Sequence, residues 1–474
     1  LSLTTSTTAN GNTAAGWKAL EKTTTGGYNT NVGYAAGQNN TTGAYNVSLG
    51  AGALGANTTA GWSTALGYDA LRNNTTANSN VAVGYNALKT NVTGTGNVAC
   101  GNQALQDNTA NNNTAFGANA LRLTTSGGSN TAVGCQAMDD NTTGANNTTV
   151  GYQASHSNTT GANNTSLGSN ALWANTTASY NTAIGENASA AITTGAHNTS
   201  MGARALDATT TADNNTAIGS AAMSVNTTGA SNTALGHQAI YANTTGSNNV
   251  AIGKDTMLAN TTVSGLTAVG HEALTANTTG TNNVGVGYRA LKANTTGLYN
   301  TAIGYQSLYQ NTTAGRNTAV GHSTLSTNTT GTYNVALGDQ AMSDADTAAY
   351  NIAIGYRALR NVTNNSCVGI GIRALQANTS GTQNVTIGYE SGKNITTGNY
   401  NVGTGVDALL DTTTGDYNSA FGKNAGENIT TGDNNGCIGS NSGTASSPSG
   451  NITTGSNIIC LGNNSVTDLY CADT

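Results

Sequence analysis

Proline occurs once in this chain of 474 residues, phenylalanine twice and tryptophan three times, and charged residues make up only 8%. The shortage of large rings excludes a core built on aromatics, so an interior must use Ala, Val, Ile and Leu in small, regular layers. A formal net charge of −6 with no basic run excludes nucleic acid as a main partner. No run of about 18 apolar residues could span a membrane as a helix, and the opening Leu-Ser-Leu-Thr-Thr has neither the basic start nor the apolar core of a secretory leader. A soluble chain without membrane insertion is expected, and a start at Leu1 rather than Met implies material upstream, an attachment region included. The cysteines (Cys100, Cys135, Cys367, Cys437, Cys460 and Cys471) have neither CxxC spacing nor the density of a disulfide scaffold, so most read as small buried fillers. The five histidines lack partners at metal-ligand spacing, so neither a metal site nor another cofactor is expected.

What the chain has in quantity is glycine, 62 residues, much of it at a fixed interval. The motif Asn-Thr-Ala-Val-Gly-x-x-Ala-Leu-x-x-Asn-Thr-Thr-Gly-x-x recurs about 27 times. Its fifth-slot turn glycine falls at Gly16, Gly33, Gly50, Gly67, Gly84 and Gly101, a step of 17. One residue is dropped before Gly117. The step resumes through Gly134, Gly219, Gly287 and Gly355, and another residue is dropped before Gly371. The last interval, from Gly439 to Gly462, is 23 residues and contains Pro448 in a segment that reads as a loop closing the array. The chain divides into a lead-in at 1–11, a repeat shaft over 12–439 and an irregular ending over 440–474.

A period this strict repeats one backbone path, so each slot becomes a column. Slot 4 is nearly always apolar (Val32, Leu49, Val83, Ile184, Ile252, Ile303, Ile354, Ile387) and is expected to point inward. Slot 9 (Leu54, Leu88, Leu359) supplies a second core column, and the alanines of slot 8 suit close packing of neighbouring walls. Slots 1–5 alternate polar and apolar, while Asn, Thr and Gly fill slots 12–15, which predicts two short strands and a loop per unit. The recurring glycines exclude helix. The predicted fold is all-β, a parallel β-roll or β-helix solenoid. With coils about 4.8 Å apart, about 27 of them would make a rod on the order of 130 Å long.

One thin coil buries few aliphatics, at roughly 1.5–3 kcal/mol each, against an ordering entropy of about 1–2 kcal/mol per residue. Neighbours must contribute. Slot 2 shares a strand side with slot 4 and is often Val or Ile (Val47, Val81, Val250, Val335, Ile352), a second layer that association of several chains would bury. A homotrimer is the favoured number.

The repeat Asn351-Ile-Ala-Ile-Gly-Tyr-Arg-Ala-Leu359 resembles the left-handed β-roll repeat of trimeric autotransporter adhesin heads, whose coil is shorter. It is more similar still to repeat regions of bacteriophage tail fibres and related surface fibres that carry a C-terminal endosialidase-type intramolecular chaperone. The resemblance runs from about Gly11 to Gly462, and the ending Val466-Thr-Asp-Leu-Tyr-Cys-Ala-Asp-Thr474 looks like the segment preceding that chaperone. In the family the chaperone drives trimerisation and then cleaves itself off before a serine, which is absent here. The resemblance implies a left-handed coil and a processed fibre ending at Thr474. It further implies a virion or extracellular location, attachment to a virion protein through the upstream region, and a host cell-surface glycan or receptor as partner.

Candidate chemistry is sparse. Sixteen of 19 tyrosines occupy slot 6 or slot 17, so rings such as Tyr68 over Tyr85 and Tyr288 over Tyr305 could stack between coils. They read either as a stiffening ladder or as a sugar-binding stripe. Asp139 and His156 share slot 10 on adjacent coils, and Glu390 and Asp407 share slot 7 at a spacing that a retaining glycosidase would need. Both pairs read as solvated edges, and no catalytic residue is assigned. The Asn-Thr-Thr of slots 12–14 formally matches a glycosylation sequon, but turn chemistry explains it without glycans. Its threonine rows raise ice binding as a rival, which their place in a glycine-containing loop disfavours. The reading that results is a non-enzymatic fibre shaft for host attachment or receptor-tip display. A bacterial adhesin head is the alternative; polysaccharide depolymerase and ice-binding protein are remote ones.

Overall fold

Successive side chains of an extended strand leave opposite faces, so a strand over slots 2–4 must send its middle residue one way and its outer two the other. The computed structural model describes residues 8–467; the ending at Thr474, with Cys471, lies outside the described residues. The chain forms two compact units that meet in sequence at Thr245 and Gly246. Among the described residues the first unit carries strands β1 (Thr13–Ala15) to β14 (Thr233–Leu235), and the second carries β15 (Val250–Ile252) to β27 (Ile459–Leu461), each strand three residues long. Within each unit successive strands pair in parallel, slot on slot, as Thr30 on Val47 and Ala302 on Ala319. The fold is an all-β parallel solenoid with a 17-residue repeat. Irregular intervals are absorbed in the turns: Val98 still pairs with Thr114, Ile352 with Val368, and Gly436 with Ile459.

One strand per coil forms, where two were expected. The rest of the coil still bonds its neighbour through the backbone, as Leu20 N–H to Ala36 O at 3.1 Å and Thr24 N–H to Thr41 O at 3.0 Å. It does so through turns because slots 7, 9 and 17 adopt the left-handed region. Asp69 (φ 53°), Leu54 (φ 50°), Leu88 (φ 51°) and Tyr299 (φ 58°) are examples. Non-glycine residues seldom hold that conformation, which costs about 1–3 kcal/mol each. Burial of the slot-9 leucines offsets it at roughly 1.5–3 kcal/mol apiece.

Slot 5 is more demanding. The turn glycines named above from Gly16 to Gly371 have φ between 129° and 147°, outside what an L side chain adopts. At Gly168 an added Cβ would also sit 2.5 Å from the carbonyl oxygen of Gly185 one coil on.

The interior corrects the expected core. Slot 3 points inward, mostly as alanine (Ala65, Ala82, Ala183, Ala302), and slot 9 joins it with Leu54, Leu88 and Leu359, all buried. The slot-4 residues Val32, Leu49, Val83, Ile184, Ile252, Ile303, Ile354 and Ile387 are not in that core. They face outward, half-exposed or exposed, with Leu49 at 52% and Ile387 at 41%. The reason is width: the leucine from slot 9 fills the coil, and only a methyl group fits opposite. Where slot 9 shrinks, another slot grows. Gly392 lies against Thr386 and Ile395, and Gly443 against Cys437 and Ile452, which keeps the volume constant from coil to coil.

Two further inward columns are asparagine. Slot 12 was expected only to turn, yet Asn40, Asn57, Asn158 and Asn175 are buried. They form amide ladders, Asn57 Nδ2 to Asn40 Oδ1 at 3.0 Å and Asn175 Nδ2 to Asn158 Oδ1 at 2.8 Å. Slot-1 asparagines run alongside. Asn29 and Asn40 both donate to the Gly43 carbonyl at 2.9 Å, and Asn29 Oδ1 accepts from Asn46 N–H at 3.0 Å. Buried polar groups must be satisfied, and here the repeat satisfies them by translation.

Gly168→Ala should lower the thermal midpoint by the equivalent of about 1–3 kcal/mol. Ala221→Gly, at φ 54° in slot 7, should raise it by about 0.4–1 kcal/mol. Differential scanning calorimetry reads both, and opposite signs would contradict this backbone account.

Candidate functional site

The outer strand face is bordered by rings. Slot 17 stands just before the strand and slot 6 just after it. One open hollow in the second unit is lined by both slot 17 (Tyr417, Asn434, Asn457) and slot 2 (Ser419, Gly436, Ile459). Tyr68 stacks on Tyr85 with centroids 5.5 Å apart. A longer run, His271, Tyr288, Tyr305 and His322, stacks at 5.6, 5.2 and 5.1 Å, and Arg289 lies over the Tyr288 ring at 4.8 Å. Rings inside such a run have spent their faces on one another. A sugar needs a free face, so the geometry at Tyr288 and Tyr305 suits a ladder that stiffens the coil edge. The histidines extending it share a flat ring with tyrosine and the same slot 6, which is the sequence signal for their place in the ladder.

Between these borders slots 2 and 4 expose an aliphatic stripe. In the second unit it includes Val335, Leu337, Ile352, Ile387 and Ile438, all exposed. In β7 (Thr114–Phe116) through β14, slot 2 is threonine throughout, so a threonine column does lie on a strand face as well as in the loop. Its slot-4 partners there vary from Val133 to Phe116 and Met201, which makes the face uneven. The loop threonines of slot 13 are occupied, as Thr41 Oγ1 donating to Thr58 O at 2.9 Å.

The acidic pairs resolve into ion-pair combs. Asp139 is buried and held by Arg122 through both oxygens, at 2.8 and 3.3 Å, while His156 Nε2 stands 4.0 Å away. Its carboxylate is buried and held by arginine, which is not the solvated pair expected. Glu390 has one oxygen on Arg373 at 2.8 Å and the other on Lys393 at 3.0 Å. Burial alone would raise its pKa, but the two cations hold it below the ordinary value. Each of its oxygens has a cation partner. Asp407 is pushed up by burial and by the Glu390 charge, and Glu427 by burial and by Asp407 and Asp411. Glu272 is held down by Lys292 and Arg289.

Cys367, Cys437 and Cys460 are buried, Cys100 is half-buried and Cys135 is exposed. Burial and the nearby Cys460 push Cys437 up to about 11, which leaves its thiol unreactive. The closing loop folds onto Cys460, whose Sγ lies 2.6 Å from Ser447 Oγ and 3.0 Å from Ser449 Oγ. Among the described residues no group of three His, Cys, Asp or Glu side chains could hold a metal, and no helix is long and apolar enough to cross a membrane. No known family's sequence profile matches the chain, and no curated protein is significantly similar to it.

The raised and lowered carboxylates predict opposite pH behaviour. Glu427 has a raised folded pKa, so its contribution to stability is present below its ordinary value of 4.5 and lost as pH rises through the folded value. Glu427→Gln should melt higher than the parent at pH 7, with the gap closing in acid. Glu272, held low, contributes above 4.5 and loses that contribution as pH falls through its folded value. Glu272→Gln should melt lower at pH 7, again with convergence in acid. Melting curves from pH 3 to 8 would contradict this if both variants shifted the same way.

Proposed function

We propose that this chain is a repeat shaft of a homotrimeric surface fibre, with a left-handed coil, serving host attachment by displaying a receptor-binding tip or touching surface polysaccharide directly. The observation that carries the reading is the exposed aliphatic column of slot 4. A single chain rarely leaves a contiguous apolar patch of more than a few hundred Å² in water, and here the column recurs coil after coil. Copies laid side by side with like slots in register would bury it, and the ring ladders beside it would border the contact.

The repeat's resemblance to phage tail-fibre and adhesin-head motifs supports a virion or extracellular setting, with a virion protein and a host glycan or receptor as partners. In this reading the shaft needs no cofactor and performs no catalysis. A bacterial adhesin head remains the alternative that the same surface would serve. Ice binding is the weaker use of the β7–β14 threonine column, because the side chains beside it differ in size.

Light scattering should give a mass three times the 47.2 kDa of the chain. The double variant Ile352→Asp, Ile354→Asp places charge on slots 2 and 4 of one coil and should weaken association by at least about tenfold, since each buried aliphatic contributes roughly 1.5–3 kcal/mol. A monomeric parent would overturn the proposal.

A further inference from the structure

We propose that the groove around Arg316 in the second unit binds a carboxylate-bearing glycan, the uronic-acid type of surface polysaccharide. This deepens the reading of the chain as a glycan-contacting shaft and rests on it. Slot 17 runs through Tyr299, Arg316, Tyr333 and Tyr350 on four successive coils. Arg316 interrupts the tyrosines. Its guanidinium lies 5.7 Å from the Tyr299 ring and 5.2 Å from that of Tyr333, and Nη1 donates to the Tyr333 hydroxyl at 2.8 Å.

Other arginines of the combs are spoken for. Arg72 holds Asp69, Arg122 holds Asp139, Arg289 holds Glu272 and Arg373 holds Glu390. Among the described residues Arg316 has no carboxylate partner, although its charge is fixed in place between two rings. With Nη1 on the Tyr333 hydroxyl, the Nε–Nη2 edge of the guanidinium has no protein acceptor among the described residues, and that edge matches a carboxylate in two-point geometry.

The surroundings suit a sugar that carries the carboxylate. An open groove of about 250 Å³ is lined by Thr296, Leu298, Tyr299, Thr313, Arg316 and Tyr333. Leu298 is exposed and offers an apolar surface for ring C–H groups. The slot-14 threonines Thr296 and Thr313 bring one hydroxyl per coil at about 4.8 Å intervals, a ladder for successive sugar hydroxyls.

The test is calorimetric titration of the full chain with oligogalacturonate and, separately, with its methyl ester, which removes the charge and keeps the ring. Wild type should bind the acid and not the ester. Arg316→Gln should weaken binding at least about tenfold, as loss of a charged hydrogen bond implies, and Arg316→Lys should fall between. Arg316→Gly serves as a second variant because Gly96 and Gly265 occupy the same slot elsewhere with φ of 69° and 74°; an unchanged melting curve verifies its fold. Equal binding of acid and ester, an unaffected Arg316→Gln, or no binding of the acid by wild type would each overturn the site. Light scattering on the same samples separates the two proposals. A monomer that binds through Arg316 removes the fibre reading alone, and a trimer blind to the acid removes this site alone.

Discussion

Everything in this fold depends on how closely one coil approaches the next at slot 5. The stacked glycines bring backbone so near to backbone that a single methyl group would strike the neighbouring carbonyl, as at Gly168 and Gly185. That contact limits the rise from coil to coil, because a side chain in the glycine column would meet the backbone of the next coil. Once the spacing is set, like sits on like, and each polar group finds its partner one coil away. The asparagine ladders, the threonine hydroxyls donating to the next carbonyl and the stacked rings all follow from that one translation.

A consequence is that the coil tolerates strain which an isolated loop would not. Leucines such as Leu54 and Leu359 hold a left-handed backbone in every coil where they occur. They persist because their side chains are the main filling of the interior, and because their N–H groups bond the adjacent coil, Leu54 to Ala70 O and Leu359 to Ala374 O. Volume is conserved with equal care: isoleucine or threonine moves in where leucine is missing, as Ile395 and Thr386 do around Gly392. The solenoid is a chain of nearest-neighbour contacts, each coil supporting the next.

Much of this was legible in sequence. The period, the parallel stacking, the slot-9 core and the closing loop around Pro448 are properties of spacing, and spacing survives without coordinates. The direction of slot 4 was not legible. Its valines and isoleucines avoid water more strongly than the alanines of slot 3, so hydrophobicity ranked the wrong column as interior. Ranking by hydrophobicity says that a surface wants cover, not which surface covers it. The ion-pair combs were missed for a related reason. A carboxylate in slot 7 and a cation in slot 10 are unremarkable in one coil, and only stacking brings Arg289 and Lys292 together on Glu272. The pairing of Arg316 with rings above and below it was likewise invisible until slot 17 became a column in space.

The chain carries its own probes for the central claim that slot 4 faces outward and is covered by another copy. Cys135 stands exposed in slot 6, Cys437 and Cys460 are buried in slot 3, and Cys100 lies half-buried in slot 4. Alkylation of the native protein, followed residue by residue with peptide mass spectrometry, should label Cys135 quickly and leave Cys437 and Cys460 unmodified. Cys100 should be protected in the assembled protein and become reactive when dilution or mild denaturant separates the copies. Cys100 reacting as fast as Cys135 in the undisturbed protein would contradict the account.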